Sequence, residues 1–231
     1  MTRGLGGVTP SSALERCRVA LFDMDRTLVR TDTATLYVRY QRRIGEAGLR
    51  DVAKVAWWML QYTFGVIDAE AIAKSVAAGY AGQSEAAMIE KCLDWYRTDV
   101  VPQVCDAARR AVAAHHAAGR ITAIVTGATR YAAEPLAAEL GIPHVLCTRL
   151  EVDNGAFTGK VIPPMCYGIG KIELTRALGK RVGFTLDEAA FYSDSITDLP
   201  LLEHVGCPVV VNPDARLRRI AKQRGWPIEA W

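Results

Sequence analysis

Residues 19–27 read VALFDMDRT, and this stretch decides the fold. Its four leading residues are all apolar, which is typical of a strand covered by helices on both faces. The strand runs directly into Asp23 and Asp25, whose side chains point the same way because they are two positions apart in an extended segment. In open α/β sheets, ligands bind at the carboxyl ends of the strands. The stretch therefore predicts paired carboxylates in a ligand crevice, with a simple turn cap as the alternative.

Further apolar runs of the same kind follow along the chain and alternate with helical patterns. This alternation predicts an α/β protein with a Rossmann-like three-layer core and a mostly parallel sheet. An Asp-Asn-Gly turn at residues 153–155 separates two short strand-like runs and predicts a tight hairpin over Leu150 to Val161. The four further predicted strands are Ile121 to Val125, His144 to Cys147, Ala189 to Tyr192 and Pro208 to Val211.

About a hundred residues separate the first two strands, far more than one crossover helix needs. Within this segment the sequence predicts helices over Thr33 to Ile44, Asp51 to Phe64, Asp68 to Ala78 and Ser84 to Arg97. We therefore expect a helical-bundle cap at 33–101, inserted into a catalytic core formed by 1–32 and 102–231. The segment 55–67 carries more apolar bulk than one helix face can hide. It is expected to be the central helix of the cap, the alternatives being a substrate wall or a dimer contact.

Composition narrows the class of protein. The chain has 231 residues, 50% of them hydrophobic, and a formal net charge of +3. These values exclude a disordered chain and argue against nucleic acid as the main partner. The six cysteines are scattered singly, which predicts buried thiols in a reducing compartment. With no secretory signal pattern and no apolar run long enough for a transmembrane segment, a cytoplasmic protein is expected. The sequence does not indicate an oligomeric state.

Three other motifs carry polar groups to the predicted sheet edge. Thr126-Gly127 follows the second strand and offers a hydroxyl and an unobstructed amide, although such a pair is more often a turn. Asp194 and Asp198 follow the strand at 189–192, with a helix N-cap as the alternative. Lys171 opens a helix after a glycine-rich segment and is either solvated or directed into the crevice.

Four carboxylates in one crevice raise each other's pKa values unless cations intervene. One lysine is insufficient, and a hard divalent cation such as Mg²⁺ would balance the charge. Because Mg²⁺ commonly binds phosphate as well, this set favours phosphoryl transfer. A P-loop is excluded because Met165 and Ile172 stand where it needs Gly and Ser or Thr. A dinucleotide fingerprint is excluded because Glu173 stands at its third glycine.

Taken in order, these motifs resemble those of the haloacid dehalogenase superfamily of phosphohydrolases. The resemblance is to the phosphoserine-phosphatase-like branch, which has a helical cap (subfamily IB type), and it covers essentially the whole chain. The residues that match the four motifs are Asp23, Asp25 and Thr27, then Thr126, then Lys171, then Asp194 and Asp198.

The resemblance implies a Mg²⁺-dependent phosphomonoesterase that acts through an aspartyl-phosphate. It makes Asp23 the nucleophile and Asp25 the acid and base. It assigns Mg²⁺ to Asp23, the backbone carbonyl of Asp25 and Asp194, with Asp198 supporting the water shell of the metal. By the same resemblance, the phosphoryl oxygens are bound by Thr126, Gly127 and Lys171.

Two residues bear on the substrate, which the resemblance implies is a small phosphomonoester. Asp32, nine positions after Asp23, stands where phosphoserine phosphatases carry an acid for the substrate ammonium. The range 72–89 lacks the arginine that would bind a substrate carboxylate. Arg26 replaces a small residue and either leans into the substrate space or lies on the surface. An amino-bearing substrate is expected, with histidinol phosphate or phosphoserine as examples. The alternatives are a phosphotransferase or mutase, and a non-catalytic phosphate-binding regulatory module.

Overall fold

The computed structural model of the protein describes residues 14–48 and 69–231, and within them one seven-stranded sheet forms the centre of the molecule. The strands are β1 (Val19–Phe22), β2 (Ile121–Thr129), β3 (His144–Asp153), β4 (Ala156–Ile162), β5 (Ala189–Ser193), β6 (Cys207–Val211) and β7 (Ile228–Glu229). Their order across the sheet is β4-β3-β2-β1-β5-β6-β7, and β3 with β4 is the antiparallel pair. The first strand in the chain is therefore the central strand of the sheet.

Helices connect these strands. They are α1 (Thr33–Arg43), α2 (Ala69–Ala78), α3 (Glu85–Trp95), α4 (Asp106–Ala117), α5 (Arg130–Leu140), α6 (Ile169–Val182), α7 (Leu199–Leu202) and α8 (Ala215–Arg224). A π-helical turn at Tyr96–Val100 and 3₁₀ turns at Val101–Gln103, Leu186–Glu188 and Ile196–Asp198 complete the regular structure. The helix predicted up to Arg97 thus ends its α-helical part at Trp95, shortly before Pro102, which lacks an amide hydrogen.

Two buried clusters lie on opposite faces of the sheet. Alternate residues of β1 divide between them, with Leu21 in one and Phe22 in the other. Helices α4 and α5 cover the Phe22 face, whereas α6, α7 and α8 cover the Leu21 face. This arrangement confirms the predicted α/β, Rossmann-like three-layer core with a mostly parallel sheet.

Two strands run further than the sequence predicts. Strand β2 continues past Val125 to Thr129, with a shift in its pairing with β3 between Thr126 and Thr129. Strand β3 continues to Asp153 because its second half pairs with β4 instead of β2. Asn154 and Gly155 at the turn have φ values of 48° and 78°, which suit the predicted tight hairpin.

Four described α-helices lie between β1 and β2; α1, α2 and α3 are inside the range predicted for the cap, whereas α4 is in the predicted core. The helix predicted over 51–64 and the apolar segment 55–67 lie outside the described residues. The cap boundaries at 33 and 101 remain a prediction.

Hydrogen bonds join the α2–α3 connection to the β3–β4 hairpin. Gly82 N donates to Phe157 O (2.8 Å), Phe157 N donates to Gln83 O (3.0 Å), and Glu85 N donates to Gly155 O (2.9 Å). Gly159 lies so close that an added Cβ would be 3.0 Å from the Cβ of Ala81. The hairpin of the core therefore packs directly against the predicted cap.

A second contact joins α3 to the core helix α5. The Tyr131 hydroxyl donates to Glu85 Oε1 (2.8 Å), and the Tyr96 hydroxyl donates to Glu139 at the other end of α5. The core helix α5 is therefore bonded to the first residue of α3 and to the residue that directly follows α3.

All six cysteines are free and buried, as the sequence predicts. Over the ranges 14–48 and 69–231, no helix is long and apolar enough to cross a bilayer.

Candidate active site

The predicted site residues Asp23, Thr126, Asp194 and Lys171 lie at the carboxyl edge of the sheet or at the helix beside it. Asp23 comes directly after β1, and its amide donates to Tyr192 O of β5 (2.9 Å). Asp194 comes directly after β5, and Thr126 lies where the pairing of β2 with β3 shifts. All four side chains are buried. Parallel pairing of neighbouring strands brings these residues together, although they are distant in the chain.

Lys171 is buried between two of the predicted carboxylates. Its Nζ lies 2.8 Å from Asp23 Oδ1 and 2.7 Å from Asp198 Oδ1. These two charges raise the pKa of Lys171 further than burial lowers it, so the lysine is held protonated. Of the two alternatives for this lysine, the structure shows the one directed into the crevice.

The position of Lys171 depends on the glycine before it. A Cβ at Gly170 would lie 1.9 Å from the backbone oxygen of Met165, so no side chain fits there. The first turn of α6 can therefore pack against the segment that precedes it only with glycine at this position.

Asp25 is half-buried beside Asp23. Its Oδ1 accepts a hydrogen bond from the backbone N of Thr33 at 2.7 Å, at the start of α1. Burial, together with the neighbouring charges of Asp32 and Asp23, raises the pKa of Asp25 to about 7. A carboxyl group with this pKa exchanges a proton readily near neutral pH.

The loop after β5 carries the other two carboxylates. The Ser193 hydroxyl donates to Asp198 Oδ2 (2.7 Å), so Asp198 is fixed by Ser193 and Lys171 together. Burial and the charges of Asp23 and Asp198 raise the pKa of Asp194 to about 8. Burial likewise raises the pKa of Asp23, to about 6, against the opposing effect of Lys171.

The predicted phosphate ligands on β2 differ in exposure. Thr126 is buried, and its Oγ1 accepts a hydrogen bond from Ala128 N (3.2 Å), whereas Gly127 is exposed. Thr27 is also buried, and its Oγ1 has no hydrogen-bond partner among the described atoms. The hydroxyl of Thr27 therefore remains able to donate to a group that enters the site.

The two predicted substrate residues take different environments. Asp32 caps α1, and its Oδ1 accepts from Thr35 N (2.9 Å) and Thr35 Oγ1 (3.2 Å). Arg26 is exposed and has a left-handed backbone, with φ of 55°. Its charge nevertheless lowers the pKa of Asp194, against the larger effect of burial.

The donor set fits a divalent cation. Asp23, Asp25, Asp194 and Asp198 bring four carboxylates together, and Lys171 is the one buried Lys or Arg of the described residues. Burial, together with the neighbouring carboxylates, raises the pKa values of the first three, and a bound cation would favour their ionised forms. In the described part of the chain, no three acidic, His or Cys side chains alone form a metal-binding group. Mg²⁺ typically keeps several waters and takes one or two carboxylates together with phosphate.

Two contributors to the site are absent from the sequence-based set. Ser193 orients Asp198, and the Thr33 amide bonds Asp25. The position of Ser193 at the end of a predicted strand was a usable signal, since it precedes the acidic loop directly. The bond from the Thr33 amide could not be predicted from residue type, because it is made by a backbone N–H group, which every residue except proline has.

The fold and this arrangement of carboxylates and lysine agree with a comparison with known families. Residues 20–203 match the haloacid dehalogenase-like hydrolase family, and the chain belongs to it. The predicted assignment to this superfamily, and to hydrolases, is confirmed.

Relatives and solved structures extend this result. The chain is 33% identical to a histidinol-phosphatase of Neisseria meningitidis, over 91% of this chain and 97% of that protein. It is 32% identical to the phosphoserine phosphatase SerB1 of Mycobacterium tuberculosis, over 90% and 69% of the two chains. A crystal structure of a protein with unknown function from Bordetella pertussis has a TM-score of 0.82 at 31% identity, covering 92% of this chain and 98% of that one. Almost equal identity to two differently named phosphatases means that overall similarity does not select a substrate.

Proposed function

We propose that the protein is a Mg²⁺-dependent phosphomonoesterase that acts through an aspartyl-phosphate on Asp23. The observation that carries this proposal is the contact of Lys171 with both Asp23 and Asp198, beside an Asp25 carboxyl with a raised pKa. A site that only binds phosphate has no need of an acidic residue as nucleophile and a second as acid. This combination favours the enzyme over a regulatory module.

Asp23 supports the first transfer. Its carboxylate attacks phosphorus, a new P–O bond forms to Asp23, and the bond from phosphorus to the substrate oxygen breaks. A bond of 2.8 Å from Lys171 orients Asp23 before the substrate binds and opposes the effect of burial on its pKa. The anionic nucleophile and the anionic phosphate repel each other, and this is the barrier that the neighbouring cations lower.

Asp25 supports the proton transfers. As an acid with a pKa of about 7, it donates its proton to the departing substrate oxygen, which leaves as an alcohol. The resulting carboxylate then takes a proton from the water that attacks the aspartyl-phosphate. Attack by this water releases inorganic phosphate and restores Asp23. The bond from Thr33 N keeps Asp25 in one orientation through both steps.

The remaining residues bind charge. Lys171, the Thr126 hydroxyl and the Gly127 amide would bind the phosphoryl oxygens as their charge redistributes. Asp23, Asp194 and the backbone carbonyl of Asp25 would hold Mg²⁺, with Asp198 near its water shell. When bound, the metal neutralises carboxylates and polarises the phosphoryl group.

The substrate class follows from Asp32 and the range 72–89. The Oδ1 atom of Asp32 caps α1, which leaves its second oxygen for a substrate ammonium. The absence of arginine from the range 72–89 argues against a substrate carboxylate. An amino alcohol phosphate such as histidinol phosphate meets both conditions, whereas phosphoserine meets one. The relative named histidinol-phosphatase, matched over almost its full length, supports this choice.

A panel of phosphomonoesters tests the proposal. It includes histidinol phosphate, phosphoserine and an amine-free alkyl phosphate, with and without Mg²⁺, and both the free alcohol and inorganic phosphate are measured. We expect equal amounts of alcohol and phosphate, Mg²⁺ dependence, and a preference for histidinol phosphate. Alcohol in excess of phosphate would instead identify a phosphotransferase. No turnover of any ester with Mg²⁺ would favour a binding module.

A further inference from the structure

Asp214 lies outside the four motifs, yet it contacts the loop that carries Asp194. It precedes α8, and its Oδ1 accepts hydrogen bonds from the backbone N atoms of Arg216 and Leu217, each at 2.8 Å. These two bonds make Asp214 an ordinary helix N-cap. It also bonds outside this helix.

The second oxygen and the amide of Asp214 both bond the acidic loop. Oδ2 accepts from the backbone N of Ile196 at 2.7 Å, and Asp214 N donates to the backbone O of Asp194 at 3.0 Å. The backbone O of Asp214 also accepts from Arg218 N of α8 (2.9 Å), so this residue makes five hydrogen bonds, three to its own helix and two across 18 or more residues of chain. A cap alone explains only the first three.

The helix to which this loop is tied is fixed in the core. Leu217 and Ala221 on α8 are completely buried in the cluster that covers the Leu21 face of the sheet. The bonds from Asp214 therefore connect the loop to a helix that is packed into the core. Ser195 adds local order, since its side chain accepts from Thr197 N (3.3 Å).

The loop needs such a connection because its charges repel. Asp194 lies near Asp23 and Asp198, and mutual repulsion favours any movement that separates the three carboxylates. Ser193 and Lys171 hold Asp198, whereas the backbone on both sides of Asp194 is held through Ser193 and Asp214. Loss of the Asp214 bonds would let Asp194 move away from Asp23.

We propose that Asp214 is a positioning residue that holds Asp194 at the distance from Asp23 that Mg²⁺ binding requires. This inference rests on the proposed function, in which Asp194 is a metal ligand. Outer residues that orient metal ligands typically change metal affinity by about 10- to 100-fold when they are replaced.

Asp214→Asn separates this role from capping. Asparagine keeps one oxygen for the amides of Arg216 and Leu217, and it is as good an N-cap as aspartate. Its NH₂ group then faces the N–H of Ile196, donor against donor, so the bond to the loop is lost. If the asparagine amide is rotated by 180°, its NH₂ group faces the backbone N–H groups of Arg216 and Leu217 instead of the single N–H of Ile196. That orientation opposes two pairs of donors and is less favourable. The variant therefore removes the side-chain bond to the loop and keeps both the cap and the backbone bond to Asp194 O.

Ile196→Pro removes the same bond from the other side. Ile196 is the first residue of a 3₁₀ turn, a position that proline suits, and Ser195 before it has the extended backbone that a following proline requires. This variant leaves the carboxylate of Asp214 unchanged. It also tests the inference if Asp214→Asn does not fold.

The matched control is Glu188→Gln. Glu188 is a carboxylate that accepts from a backbone amide, Thr185 N at 2.9 Å, immediately before the start of β5. It lies at the opposite end of the strand from the acidic loop. Its replacement should lower stability slightly and leave the metal site intact.

The measurement is the midpoint of the rise in melting temperature on titration with Mg²⁺ alone, with no substrate present. We expect Asp214→Asn and Ile196→Pro each to raise this midpoint about tenfold or more, the double variant to add little, and Glu188→Gln to change nothing. Unchanged midpoints in both single variants, or fully additive effects, would show that Asp214 is only a cap.

The outcomes also distinguish this inference from the proposed function. If the parent protein binds Mg²⁺ but releases no phosphate from the ester panel, the proposed function is contradicted. The role of Asp214 is then still tested by the Mg²⁺ midpoints of the variants, because that measurement needs no substrate. A parent protein whose melting temperature does not respond to Mg²⁺ contradicts both.

Discussion

The carboxylate of Asp23 lies 2.8 Å from the ammonium of Lys171, although 148 positions separate these residues in the chain. The pair is buried, and Asp198 completes it on the other side of the lysine. The ammonium of Lys171 thus lies beside the predicted nucleophile before any ligand binds. A divalent cation would neutralise the negative charge of the carboxylates that Lys171 leaves unpaired. The following predictions test the parts of this arrangement separately.

Asp23→Asn should lower the rate of phosphate release by about 10³-fold or more, because an amide is a far poorer nucleophile and metal ligand than a carboxylate. The fold should persist, since the amide has the same shape. Circular dichroism and a phosphate assay check the two statements. Activity near the parent rate would exclude Asp23 as the nucleophile.

Asp25→Asn should allow the aspartyl-phosphate to form slowly and to accumulate, because the water that attacks it loses its base. Substrates with a good leaving group, which need no acid, should show this most clearly. Mass spectrometry of the acid-quenched protein should find one added phosphoryl group, absent from the Asp23→Asn variant. If Asp25→Asn turns over as fast as the parent, Asp25 has no acid or base role.

Lys171→Met should destabilise the metal-free protein by about 3–5 kcal/mol, because it leaves two buried carboxylates without their cation. The double variant Lys171→Met, Asp198→Asn should recover part of this loss. Urea unfolding at pH 7 measures both effects. Lys180→Met, on the exposed side of the same helix, is the control and should have almost no effect. If Lys171→Met lowers the free energy of unfolding as little as the control does, the buried ion pair makes no net contribution to stability.

The metal-free protein should lose stability as pH rises from about 5 to about 8. The pKa values of Asp23, Asp25 and Asp194 are raised to about 6, 7 and 8, so the folded state binds these protons more tightly than the unfolded state. Stability is therefore highest below this range and falls as the groups ionise. Saturating Mg²⁺ should reverse the trend, because the metal needs the ionised forms.

The control for the pH dependence is Asp194→Asn, which cannot ionise at this position. Its metal-free melting temperature at pH 8 should exceed that of the parent by about 2 °C or more, and its dependence on pH should be shallower. A metal-free melting temperature that rises from pH 5 to pH 8 in the parent would contradict the burial argument.

Asp32→Asn should lower kcat/KM for amino-bearing esters by about tenfold or more and leave an amine-free ester unaffected, because a charged hydrogen bond to the substrate is lost. Asparagine still caps α1, so the melting temperature should change little. An equal loss for both kinds of ester would assign Asp32 to the fold or to Asp25 instead of the substrate.

Much of the fold could be predicted because it depends on patterns that are local in the sequence. The apolar run at Val19–Phe22 and the Asn154-Gly155 turn each specify their structure within a few residues. The end of β2 could not be predicted in this way, since its last residues pair with β3 only after a shift in register. The two-residue strand β7 is too short to leave a pattern.

The same distinction holds for the site. Carboxylates that directly follow strands could be predicted to meet, because parallel strands bring their ends together. The contact of Lys171 with both Asp23 and Asp198 and the contact of Asp214 with Ile196 depend on how helices pack against the sheet edge. No spacing in the sequence encodes these distances. Asp214 directly precedes α8, and only the structure shows its second carboxylate oxygen bonded to the acidic loop.

The bonds between Gly82 and Phe157 and between Glu85 and Gly155 have a consequence for protein engineering. A graft that exchanged only residues 33–101 between relatives would pair a new α2–α3 connection with a foreign hairpin. The exchangeable module is therefore discontinuous, made of the insertion after β1 together with the β3–β4 turn. An insertion or deletion in either turn requires a compensating change in the other. A chimera that carries both segments must also keep the pairs of Glu85 with Tyr131 and of Tyr96 with Glu139, which join the insertion to the core helix α5.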